Sequence, residues 1–65
     1  MDQFSLQKQL EALRLEHRDL DSAIAALFAL PNADELQIAR LKKRKLRLRD
    51  EIAMIEDQLI PDIIA

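Results

Sequence analysis

The chain reads as all-α: an antiparallel two-helix hairpin of coiled-coil type, expected to dimerise into a four-helix bundle. Three observations carry that reading. Two long stretches repeat their seam residues at alternating spacings of three and four, the signature of paired helices. A proline-containing break, PNADE, separates the two stretches. The 65 residues include no cysteine and no glycine. Disulfides and thiolate metal sites are thereby excluded, which leaves helix packing and oligomerisation as the routes to stability.

The first helix is expected over about residues 3–30, with Asp2 or Ser5 as its N-cap. Leu10, His17 and Ile24 fall at heptad position a; Leu6, Leu13, Leu20 and Leu27 fall at d. Pro31 ends this helix, because it lacks a backbone N–H and biases Leu30 away from the helical region. A turn is expected over about 31–33. Asn32, three residues before Glu35, forms a candidate capping box for the second helix, and Asp34 is the competing N-cap. That second helix is expected over about 34–60, with a short tail at 61–65 after Pro61. Its stripe runs through Ile38, Leu41, Lys45, Leu48, Ile52, Ile55 and Leu59.

So short a connection folds the helices back on each other. Facing seam residues then sum to about 65 in residue number, pairing Leu13 with Ile52 and Leu10 with Ile55. Each a residue meets a d residue. Asp21 and Glu16 flank the seam on the first helix, within reach of Lys42, Arg49 and Arg44 on the second. The same register sets Arg14 near Arg49 and Glu16 near Glu51, two like-charge meetings. His17 and Lys45 interrupt the stripes. Both read as seam residues, Lys45 lying its stem across Leu20, and a pH response through His17 is the alternative.

The net charge of −2 conceals an asymmetric distribution. Residues 40–49, RLKKRKLRLR, carry +7; elsewhere three bases oppose twelve acids, leaving −9. Within one helix, Arg40 and Arg44, Lys43 and Arg47, and Lys45 and Arg49 are four apart and repel. Seam-flanking acids account for about half of this strip. Arg40, Lys43 and Arg47 fall at c and f, outside the seam, and are the candidate partner-binding residues.

The apolar surplus points to association. AIAALFAL, residues 23–30, is apolar all the way round. Phe28 and Leu30 lie beside the seam at e and g, Leu36 lies opposite it at f, and Leu46 and Ile60 belong to a row at b. These five are the candidate oligomer interface.

Several function classes are disfavoured. Without glycine, phosphate-cradling loops and dinucleotide fingerprints are missing. Two phenylalanines are the whole aromatic content, too few for stacking platforms on single-stranded nucleic acid. One histidine and no catalytic grouping give no basis for an enzyme, and no cofactor or metal is expected. No secretory leader and no membrane-spanning stretch is read, so a cytoplasmic location is expected. The resulting expectation is a small coiled-coil interaction module without catalytic activity. It would associate with itself and present its basic face to an acidic protein. The alternative is a nucleic-acid-associated protein using the strip 40–49.

LKKRKLRLRDEI, residues 41–52, together with His17, Leu20, Asp21 and Ile24 upstream, resembles the YdcH-like family of small bacterial proteins. Arg49 stands where that family usually has lysine. The resemblance runs from about Leu10 to Leu59 and implies a cytoplasmic, helical, coiled-coil protein. The family has no assigned activity, so no catalytic or binding residue carries over.

Overall fold

A computed structural model describes residues 2–59 and consists of two α-helices, α1 (Gln3–Phe28) and α2 (Glu35–Leu59), in that order. They lie side by side as a hairpin. The longest dimension is 51 Å, whereas one unbroken helix of this chain would extend about 95 Å at 1.5 Å per residue. The expectations for Ile60 and the tail 61–65 lie outside the described residues.

Asp2 caps α1: its carboxylate accepts the Ser5 N–H at 2.7 Å, and its carbonyl takes the first helical bond, from Leu6 N–H. That hydrogen bond from the Ser5 backbone holds the Asp2 carboxyl below the usual aspartate range. At the other end α1 stops at Phe28, two residues short of the expected 30. The Ala29 N–H still reaches the Ala25 carbonyl, but the Leu30 N–H turns to Leu27, a tighter i to i−3 bond. The helix tightens and ends there because Pro31 brings no donor to the next turn and disfavours helical geometry at Leu30. The connection is accordingly residues 29–34, longer than the expected turn.

The cap of α2 is Asp34, not the Asn32 capping box. Its Oδ1 accepts from Leu36 N–H at 3.0 Å and Gln37 N–H at 3.2 Å, while its carbonyl accepts from Ile38. A two- to three-residue reach suits a short carboxylate, and Glu35 in the first turn adds a favourable charge at the positive helix end.

The seam is built from the stripes. All fourteen stripe residues are buried or half-buried; among the other described residues only Glu16, Ala33 and Glu56 escape full exposure. The buried members are Leu6, Leu10, Ile24, Ile38, Leu48 and Ile55, with Leu48 least exposed at 4%. Leu6, Leu10 and Ile55 form a cluster with Leu13, Ile52 and Leu59 around it, all partners in the expected register. Among the described residues no side chain is wholly shut off from water. The core is one row deep.

Cross-helix pairs fix the register: the expected Glu16–Arg44 pair forms, while Arg14 meets Glu56 rather than Arg49. Arg14 binds Glu56 at 2.6 Å and Arg44 binds Glu16 at 2.5 Å. Neither expected like-charge meeting decides the flank pairing. An e residue follows its own d, and a g residue precedes its own a, so flank partners sit five residues off the seam level. The offset is toward the open end for Arg14–Glu56 and toward the turn for Glu16–Arg44. Lys42 lies 4.9 Å from the centre of the Phe28 ring, with the same offset as Arg14–Glu56. Three contacts, two ion pairs and one cation–π contact, thus agree on one register.

Candidate functional site

The basic strip divides around the helix into charges used by the hairpin and charges that are not. Arg44 is committed to Glu16 on the g edge. Lys45, half-buried in the seam, reaches out to Asp21 rather than leaving that carboxylate to Lys42 or Arg49. A hydrogen bond from Lys45 lowers the Asp21 pKa; desolvation opposes it, and the nearby Lys45 and His17 charges lower it further. Lys42 sits over Phe28 in a cation–π contact. Arg40, Lys43 and Arg47 are exposed, and among the described residues none of them enters an ion pair.

Those three cations border a shallow groove of about 440 Å³ running along the g edge of the hairpin. Its apolar floor is Leu48 and Leu13, one from each helix. Arg40, Lys43, Arg44 and Arg47 form its basic side, and Glu16 and Glu51 supply two carboxylates. Since Glu16 is already spent on Arg44, the groove keeps a positive surplus.

Charge spacing in the sequence marks the three cations but not the apolar floor. Leu13 and Leu48 belong to the seam, and as d residues, one on each helix, they also close the bottom of a flank groove.

The five apolar interface candidates do not gather on one face. Phe28, Leu36 and Leu46 are more than half exposed, at 58%, 69% and 55%. Phe28 and Leu46 share the e/b edge, whereas Leu36 is on the back at f. Leu30, also exposed, lies in the turn and not at a helical g position. Ile60 is outside the described residues. Phe4, Leu15 and Met54 are exposed apolar residues that the sequence reasoning did not single out.

Among the described residues, no group of three His, Asp or Glu side chains is placed to hold a metal ion. No described helix is long and apolar enough to cross a membrane.

A family model described as "Protein of unknown function (DUF465)" matches residues 10–56. The chain belongs to that family. The match starts and ends on seam-side residues of the two helices, so the family unit spans most of the hairpin with its turn inside. No curated protein and no solved structure matches the chain.

Proposed function

We propose that this DUF465 protein is a small coiled-coil interaction module that works without catalysis and offers the basic groove of α2 to an acidic protein surface. The observation that carries the reading is the division of the strip. The hairpin neutralises Arg44 and Lys45 internally and leaves Arg40, Lys43 and Arg47 around an apolar-floored groove. Four like-charge neighbours on one helix face cost stability, a cost that a partner's carboxylates offset. The YdcH-like family is the finer identity we assign to this unknown-function family, on the LKKRKLRLRDEI segment and the upstream His17, Leu20, Asp21 and Ile24. A cytoplasmic location belongs to the same reading.

A labelled poly-glutamate peptide and a labelled DNA duplex, titrated at about 50 mM salt, separate the choices. Anisotropy should rise with the peptide, and Lys43→Glu/Arg47→Glu should weaken it about tenfold or more, since two attractive charges become repulsive. Tight, strongly salt-dependent binding of the duplex with none of the peptide would replace this reading by the nucleic-acid one.

A further inference from the structure

The outer face of α2 carries a second stripe with the same alternating spacing as the seam: Arg40, Lys43, Arg47, Asp50, Met54 and Asp57. Its first half is positive and its second half acidic. All six are exposed, and among the described residues none of the five charged ones enters an ion pair. We propose that the acidic partner of the basic strip is α2 of a second copy of this chain, packed antiparallel across a two-fold axis. This rests on the reading of the strip as a docking face and names its occupant.

Charge complementarity selects both partner and direction. In the antiparallel arrangement Arg40 meets Asp57, Arg47 meets Asp50 and the stem of Lys43 covers Met54. A c residue faces an f residue each time, as the a and d residues do in the hairpin. The two-fold repeats each contact, so two kinds of ion pair become four. A parallel arrangement sets Arg40 on Arg40 and Asp57 on Asp57, and is repelled. Met54, 64% exposed, gains a place beside the groove floored by Leu48 and Leu13. With the flank offsets seen inside the hairpin, Leu46 meets its own copy and Ala39 meets Ala53 on the b edge. The thin core of the single hairpin makes this added apolar contact valuable. The one like-charge meeting is Glu51 with its copy, on the solvent edge of the groove. Because the ion pairs stay near water, the dimer is salt-sensitive.

The test is a charge swap on the full chain, read by sedimentation equilibrium. Wild type should associate reversibly, more weakly as salt rises from about 50 to 500 mM. Arg40→Glu/Arg47→Glu leaves four acids against the single base Lys43 on the stripe; Asp50→Arg/Asp57→Arg makes its charges wholly basic. Each variant alone should associate at least about tenfold more weakly than wild type, while an equimolar mixture should form a heterodimer. All altered residues are exposed, so unchanged helical circular dichroism certifies each fold. A wild type that stays monomeric through the millimolar range overturns the proposal, as do variants that dimerise like wild type. Peptide binding by a monomeric wild type would leave the basic groove standing and remove only the second copy as its occupant.

Discussion

Asp34 and Asn32 both carry side chains able to cap α2, and spacing alone does not separate them. The hydrogen bonds do, since Asp34 takes the N–H groups of Leu36 and Gln37. Asp34→Ala should therefore lower stability by about 1 kcal/mol, and Asn32→Ala should leave it nearly unchanged, both read by urea unfolding. Asp21 offers a second residue-level test. Its pKa is lowered mainly by the hydrogen bond from Lys45. A lowered carboxyl contributes stability that is present above the ordinary aspartate value, near 3.9, and is lost as pH falls through the folded value. In Lys45→Met, the Asp21 carboxyl followed by NMR should titrate at higher pH, back toward ordinary aspartate. An unmoved midpoint would mean that Lys45 does not hold Asp21 in solution.

Between helices, stability resides in a single row of side chains. Leu48→Ala removes the least exposed of them and should cost about 2–4 kcal/mol in thermal or denaturant unfolding. Leu15→Ala, at an exposed site, should change little. Much of this was legible beforehand. Alternating three and four spacing identified every seam position, because a straight pattern of apolar residues must face something along its whole length. Helix ends were less legible, since Pro31 forbids continuation without saying how many residues earlier the last turn tightens. Of the flank pairs, Glu16 with Arg44 is legible in the heptad, whereas the level at which Arg14 meets α2 is misread for a geometrical reason. Residues at one level along the axis are not the ones whose side chains meet, so Arg14 finds Glu56 and not Arg49. The groove floor went unseen because a seam leucine presents a second surface that hydrophobic periodicity does not report.

For the molecule as a whole, every functional statement depends on which face of α2 looks outward, and that follows from the hairpin. Folding back at the turn commits Arg44 and Lys45 to α1 and leaves Arg40, Lys43 and Arg47 outside. A straight helix would instead scatter the same charges around a rod with no groove. Paramagnetic labels at Ser5→Cys and Gln58→Cys, on protein diluted with unlabelled chain, decide between these shapes. Helices spaced about 8–10 Å apart place the two labels within about 25 Å, allowing for their reach. A separation near 80 Å, the length of an unbroken helix between those positions, would contradict the hairpin and everything built on it.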